Sequence, residues 1–235
     1  MRYLSRTFSH TGGREGNEDA FLCLPVWWAV ADGLGGHERG EEASLTATEE
    51  LKAAYHRGQT PEEAFNLAQK AVCRMDGPRT TLVLAAAQEN TLRFLHLGDS
   101  RGYLFRDGRL LYRTVDDSLP QKLVQLGEIS SEEIRRHPLR NRLTAALGGE
   151  DIIAPHISFP LQLTHGDALL LVSDGFWEPV TEARMLEALA AADGPEAWIM
   201  GMLEGIDPSG AEDNLTAVAV FVLAEGMERN EAHGV

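Results

Sequence analysis

Apolar residues along this chain fall into two patterns, and the contrast predicts the order of its elements. Near-continuous apolar runs bounded by turn residues read as buried strands. They occur within the first 31 residues and again at 80–87, 92–97, 102–105, 110–114, 152–159, 168–173 and 215–223. The second pattern has helical spacing: Ala43, Ala47, Leu51 and Ala54 follow Gly40 and predict an amphipathic helix. Another helix is expected over 61–73, where Thr60 can cap the first turn and Pro61 suits the first helical position. Two more are expected at 182–191 and 196–203. Asp107-Gly108 predicts a tight hairpin between 102–105 and 110–112, and consecutive strands joined by short turns are expected to pair antiparallel. Residues 116–149 are polar and irregular, which predicts a surface excursion carrying one or two short helices. The polar tail 225–235 is expected to be disordered.

Composition narrows the class. A chain of 235 residues with 43% hydrophobic content can bury one large core, and no repeat or long linker marks a second, so one domain over 1–224 is expected. The formal net charge of -15 argues against nucleic acid phosphates and anionic membrane surfaces as partners. No apolar run approaches the roughly 18 residues of a membrane helix, and Met1-Arg2-Tyr3 is not followed by a signal-peptide core, so a cytoplasmic location is expected. Cys23 and Cys73 lack paired spacing, and the eight His residues form no HxxxH or HxH pair. A disulfide framework and a zinc hydrolase are both disfavoured.

The acidic residues hold the chemistry. Val26-Trp27-Trp28-Ala29-Val30-Ala31 runs into Asp32-Gly33, and Ala168-Leu169-Leu170-Leu171-Val172-Ser173 runs into Asp174-Gly175. Further acidic turns flank other strands: Gly13-Arg14-Glu15-Gly16-Asn17-Glu18-Asp19, Gly98-Asp99-Ser100-Arg101-Gly102 and Glu212-Asp213-Asn214. Strands that stop in carboxylates can converge them on one point. Such a cluster is tolerable only when protonated or neutralised by cations, and an all-oxygen ligand set suits hard ions such as Mg, Mn or Ca. A Gly after each Asp lets the backbone approach closely, so that its carbonyl can serve as a ligand. Asp-Gly alone is weak evidence, since it recurs at Asp76-Gly77, Asp107-Gly108 and Asp193-Gly194.

The order and wording of these blocks, together with Asp117-Ser118-Leu119 and Arg140-Asn141-Arg142-Leu143-Thr144-Ala145-Ala146-Leu147-Gly148, resemble the metal-dependent protein phosphatases of the protein phosphatase 2C type, especially their bacterial members. The resemblance runs from about Phe8 to Val222 and looks like a catalytic domain alone. It implies an α+β fold: a four-layer α-β-β-α sandwich whose two central antiparallel sheets are flanked by helices, with the site at one edge between the sheets. It implies two Mn or Mg ions and a possible third. Asp32 would bridge two ions, Gly33 would add its carbonyl, Glu18 would bind one ion, and Asp174 and Asp213 the other. Asp19 and Asn214 would support these ligands from behind. Asp99, Asp174 and Glu178 would hold a third ion, and Arg14 would hold the substrate phosphate. Residues 116–149 would be the family's flap beside the site. The implied partners are phosphorylated proteins, with a Ser/Thr kinase and its substrates foremost, and the chain is expected to act as a monomer.

The residues support this chemistry on physical grounds. Two close ions lower the pKa of a shared water enough to supply hydroxide near neutral pH, so the expected reaction is direct hydrolysis of a phosphoserine or phosphothreonine ester, with Arg14, Asp32 and Asp174 as the principal residues. The planar Arg14 guanidinium can grip two phosphate oxygens. Leu34 stands where many eukaryotic relatives have a His credited with general-acid work, so the leaving alkoxide needs another proton source: a water on the third ion or His37. Glu178 stands where Asp is commoner. Arg135, Arg136, Arg140 and Arg142 either dock substrate or form a solvated basic face. Two other function classes stay open, a catalytically silent phosphoprotein-binding adaptor and a small-molecule phosphomonoesterase.

Overall fold

Alternation along the strands decides the layering. In the computed structural model, which describes residues 1–34, 39–75, 77–149 and 151–225, neighbouring positions of one apolar strand bury against different layers. Along Leu82–Gln88, the residues Leu82, Leu84 and Ala86 pack with helices, while Val83, Ala85 and Ala87 pack toward a second sheet. Along Ala168–Val172 the same split sends Ala168, Leu170 and Val172 to a helical layer and Leu169 and Leu171 to the space between sheets. A strand covered on both faces has no polar face, which is why these runs read as continuous rather than alternating.

In chain order the elements are β1 (Arg2–His10), β2 (Asp19–Cys23), β3 (Trp27–Leu34), α1 (Arg39–His56), α2 (Pro61–Cys73), β4 (Arg79–Thr80), β5 (Leu82–Gln88), β6 (Thr91–Leu97), β7 (Arg101–Arg106) and β8 (Arg109–Arg113). There follow α3 (Leu119–Gln125), a 3-10 turn (Ser131–Arg136), β9 (His156–Ile157), β10 (Leu161–Gln162), β11 (Ala168–Val172), α4 (Asp174–Trp177), α5 (Glu182–Ala191), α6 (Pro195–Leu203), a 3-10 turn (Pro208–Gly210) and β12 (Leu215–Leu223). One sheet runs β1-β12-β11-β7-β8. The other runs β10-β6-β5-β3-β2, with β4 on β3 and β9 on β6, and the described pairings are antiparallel. Helices α1 and α2 cover the second sheet, α5 and α6 the first. The result is the expected α-β-β-α sandwich, an economical way to bury two apolar sheet faces apiece.

Local chemistry explains the boundaries. Thr60 and Glu63 form a capping box at the start of α2, the Glu63 amide donating to Thr60 Oγ1 at 3.2 Å and the Thr60 amide to Glu63 Oε2 at 2.9 Å, with Pro61 directly after the cap. In α1 the residues Ala43, Ala47, Leu51 and Ala54 are all fully buried on the sheet. Asp107 and Gly108 both have positive φ, 49° and 68°, the signature of the type I′ hairpin that joins β7 to β8. Trp28 lies between the sheets, and Trp27 lies under α1 against Tyr55.

Three expectations need correction. The run 80–87 is broken at Thr81 into β4 and β5, because the Thr81 amide turns to the Asp32 carbonyl, at 2.8 Å. The successive strands β6 and β7 do not pair: they belong to different sheets, and the turn between them crosses the sandwich. The run 152–159 pairs only through His156–Ile157, since Pro155 and Pro160 lack ladder donors and Ile152, Ile153 and Phe159 remain exposed. Residues 116–149 do carry two short helical segments, α3 and the first 3-10 turn. His37 and the tail residues 226–235 lie outside the described residues. No described helix is long and apolar enough to cross a membrane.

Candidate functional site

Strand direction brings the predicted acids to one end of the sandwich. Strands β3, β6 and β11 end there, whereas β2, β7 and β12 begin there. Asp19 opens β2 directly opposite Asp32 near the end of β3. Asp99 sits in the turn that crosses between sheets, Asp174 follows β11 as the first residue of α4, and Asp213 precedes β12. The four aspartates Asp19, Asp32, Asp99 and Asp174 thus meet although up to 155 positions separate them.

Electrostatics registers the convergence. Burial, reinforced by Asp174, Asp19 and Asp99, pushes Asp32 well above the ordinary carboxylate range. Burial, then Asp174 and Asp116, does the same to Asp99. Asp174 itself is raised by burial and by Asp213. Burial raises Asp19 to about 7, against the hydrogen bond from Ser173 Oγ. These shifts share a cause: desolvated like charges are tolerated only by retaining protons or by gaining a cation.

Asn214 was expected among the supporting residues, whereas Thr80, Thr81, Ser100 and Ser44 were passed over in the sequence. The Asp32 amide donates to Thr81 Oγ1 at 3.0 Å, Thr80 Oγ1 donates to the Asp32 carbonyl at 2.9 Å, and Thr81 Oγ1 lies 2.6 Å from Ser100 Oγ. Asn214 braces the loop ahead of β2. Its Nδ2 donates to the carbonyls of Thr11 at 2.8 Å and Gly16 at 2.9 Å, and its Oδ1 accepts the Glu18 amide at 2.8 Å. The Glu18 carbonyl accepts Ser44 Oγ at 2.6 Å and the Gly33 amide at 3.1 Å. Gly33 is required by packing, since a Cβ there would collide with the Gly40 carbonyl at the start of α1. A Cβ on Gly40 would in turn meet Glu18 Oε2. The sequence signal for this bracing was present only as Ser and Thr at strand termini, a pattern too common to stand out.

Two basic side chains occupy positions next to these acids. Arg14 donates from Nη2 to Asp213 Oδ2 at 2.8 Å and from Nε to the Glu212 carbonyl at 2.9 Å. Arg140 Nε donates to Glu178 Oε1 at 2.8 Å, so Glu178, raised to about 6 by burial and Asp174, is engaged by a guanidinium. Arg14, Arg135, Arg136 and Arg140 rim a cleft of about 620 Å³ with Asp174, Glu178 and Asp213 in its wall. Trp177 is buried beside it, its Nε1 donating to the Asp99 carbonyl at 2.9 Å, with the Arg101 guanidinium 3.4 Å from the ring centroid.

The donor set fits hard divalent cations. The carboxylates are oxygen-only ligands, they are buried beyond what their mutual repulsion tolerates, and Asp19 Oδ1 is a buried oxygen with no partner. Among the described residues no group of three or more His, Cys, Asp or Glu side chains already stands as a closed ligand set. Glu18, Asp32, Gly33, Asp174 and Asp213 are the residues that would hold the ions.

Residues 8–218 match the family model described as Protein phosphatase 2C. The chain is 35% identical over 223 residues to the serine/threonine protein phosphatase PstP of Mycobacterium tuberculosis, covering 89% of this chain and 43% of PstP, so it spans less than half the length of that relative. It is 33% identical over 208 residues to the serine/threonine phosphatase stp of Listeria innocua, covering 81% of this chain and 82% of stp. The solved catalytic domain of PstP, in complex with 2 manganese ions, superposes with a TM-score of 0.81 at 32% identity, covering 95% of this chain and 99% of that one. Sequence, fold and the acidic cluster agree, and the chain belongs to the protein phosphatase 2C family.

Proposed function

We propose that this chain is a metal-dependent serine/threonine phosphoprotein phosphatase that hydrolyses phosphoserine and phosphothreonine esters by direct attack of hydroxide, without a covalent phosphoenzyme. The observation that carries the reading is the buried carboxylate cluster opening into an arginine-rimmed cleft. When bound, Mn2+ or Mg2+ supplies the Lewis acidity that yields hydroxide near neutral pH and offsets charge on the phosphoryl oxygens. Asp32, Glu18, the Gly33 carbonyl, Asp174 and Asp213 hold the ions in this reading, with Asp99, Asp174 and Glu178 as a third site. Thr80, Thr81 and Ser173 fix the orientation of Asp32 and Asp19. Arg14, already poised on Asp213, orients the phosphate with its planar donors. Asp19 and Asn214 brace the ligands.

The cleft adjoins a second one of about 1160 Å³, which supports an extended chain as substrate over a small phosphate ester. Retention of every expected acid speaks against a silent adaptor. Phosphorylated proteins, among them a Ser/Thr kinase and its targets, are the proposed partners. A monomeric, cytoplasmic protein is the proposed setting, with residues 1–224 as one phosphatase domain. The test is hydrolysis of a phosphothreonine peptide and of para-nitrophenyl phosphate with manganese, with chelator, and in Asp174→Asn. Activity that needs the metal and collapses in the variant supports the proposal; a folded, metal-binding protein inactive on both substrates would overturn it.

A further inference from the structure

The structure separates four arginines that the sequence presents alike. Arg135 is locked, donating to Glu182 Oε2 at 2.6 Å and to the Val180 carbonyl at 3.0 Å. Arg140 is locked on Glu178. Among the described residues, the side chains of Arg136 and Arg142 have no hydrogen bond or ion pair, but Arg142 lines neither cleft. Arg136 lines both. It is exposed at the end of the first 3-10 turn, where the cleft containing Asp174 and Asp213 adjoins the larger cleft bounded by Glu178, Pro179 and Thr181.

We propose that Arg136 sets substrate preference by binding an acidic group, a carboxylate or a second phosphate, on the peptide chain flanking the phosphorylated residue. The inference rests on the phosphoprotein phosphatase reading above. Arg135 and Arg140 each have a glutamate partner, and turning either to the flanking chain means giving up that pair. Arg136 carries no such cost. Arg136 and Pro179 line the cleft that holds Asp174 and also the larger cleft, so a chain that flanks a phosphoryl group beside Asp174 and enters the larger cleft passes within reach of Arg136. The neighbouring carboxylates do not cancel it. Glu182 is neutralised by Arg135, Arg113 and Arg101, and Glu133 caps the Ser130 amide at 2.7 Å, leaving Glu132 as the acidic side chain of that cleft with no partner among the described residues. A guanidinium fork also favours planar oxyanions over neutral amides.

The experiment compares kcat/KM for phosphothreonine peptides that carry Glu or phosphoserine at successive flanking positions with the same peptides carrying Gln or Ser. The readout is the acidic-to-neutral ratio, and para-nitrophenyl phosphate hydrolysis confirms that each variant is folded. The native chain is expected to favour an acidic group at one or more flanking positions about three- to tenfold, expressed in KM. Arg136→Ala should bring that ratio near unity, Arg136→Lys should keep part of it, and Arg136→Glu should invert it, while Arg142→Ala leaves it as in the native chain. A native ratio of unity at every position, or a ratio unchanged in Arg136→Ala, overturns the assignment. Hydrolysis of para-nitrophenyl phosphate but of no phosphopeptide would instead overturn the phosphoprotein reading, and the role of Arg136 with it.

Discussion

Ser173 Oγ donates to Asp19 Oδ2 at 2.7 Å and accepts the Thr216 amide at 3.0 Å, which ties the opening residue of β2 in one sheet to the ends of β11 and β12 in the other. The tie continues outward, with Thr216 Oγ1 lying 2.9 Å from Ser9 Oγ and Asn17 Nδ2 donating to Ser9 Oγ at 2.8 Å. Both Ser173 and Asp19 are buried, so this hydroxyl is the polar clasp of the sandwich at its functional end. Ser173→Ala should leave a desolvated carboxyl short of a donor and an amide short of an acceptor. The expected loss is about 1 to 3 kcal/mol of unfolding free energy, read by urea denaturation of the metal-free protein.

The protonation of the acidic cluster gives a pH dependence of definite sign. Burial first, and the neighbouring Asp174 and Asp213 after it, raise Asp19 from an ordinary 3.8 to about 7, and Asp32, Asp99 and Asp174 are raised as well. The native metal-free chain therefore binds more protons than the unfolded chain between these values. Stability contributed by these groups is present in full below the ordinary aspartate range and is lost as the pH rises through about 7. Metal-free protein should show a falling Tm over that interval, and added manganese should flatten the fall, because cations bind the ionised native state. A Tm that rises from pH 5 to 7 under chelator would contradict the cluster as described.

Replacing one acid should separate stability from activity. Asp174→Asn removes a charge that repels Asp32, Asp99 and Asp19. The metal-free variant should be at least as stable as the native chain at neutral pH, its Tm should respond less to manganese, and its turnover should collapse. Differential scanning fluorimetry across a manganese titration, paired with initial rates, checks all three.

Arg14 is held to Asp213 and to the Glu212 carbonyl, so it is oriented before substrate arrives. Arg14→Ala should lower kcat/KM roughly 10- to 100-fold, the scale of one charge-assisted hydrogen-bonding group. Arg14→Lys should recover only part of this, since a point charge cannot span two phosphate oxygens.

Much of the fold was legible because its determinants are local. The capping box of α2 needs only Thr60, Pro61 and Glu63, and β12 needs only an uninterrupted apolar run. The sheet assignment of β6 and β7 was not legible. The hydrophobic pattern is the same whether Gly98–Ser100 folds a hairpin or crosses the sandwich, and a fully buried strand carries no period to mark its partner. The two-residue extent of β9 had a visible cause in Pro155 and Pro160, which outweighed the apolar composition around them. The convergence of Asp32, Asp99 and Asp174 at one end of the sandwich was foreseeable because each follows an apolar strand, where a carboxylate is costly without a purpose. Thr81, Ser100 and Ser173 were not, since hydroxyls are unremarkable in strands. Nor was the pairing of Arg140 with Glu178, which depends on how the excursion 116–149 lies over α4.

The pair formed by Arg101 and Asp116 bears on how that excursion is anchored. Arg101 donates from Nε and Nη2 to the two Asp116 oxygens at 2.8 and 2.7 Å, and both side chains are 1% exposed. The guanidinium also stacks on Trp177, whose indole holds the Asp99 carbonyl, so the pair connects the root of the excursion to the turn carrying Asp99. Two desolvated charges give little net stability when matched, but without Asp116 the buried Arg101 keeps only the more distant Glu182, at 3.7 Å, against its charge. Asp116→Leu alone should therefore cost about 3 to 5 kcal/mol, whereas Arg101→Met with Asp116→Leu should recover most of that loss. Recovery of stability need not restore function. The double variant loses the stacking on Trp177, so its manganese-dependent turnover should stay below that of the native chain at equal stability. Urea denaturation of the single and double variants tests the first statement, and turnover at matched folded fraction tests the second. If the double variant is as unstable as Asp116→Leu, the pair is a net stabiliser; if it regains full turnover, the stacked guanidinium has no part in holding the Asp99 turn.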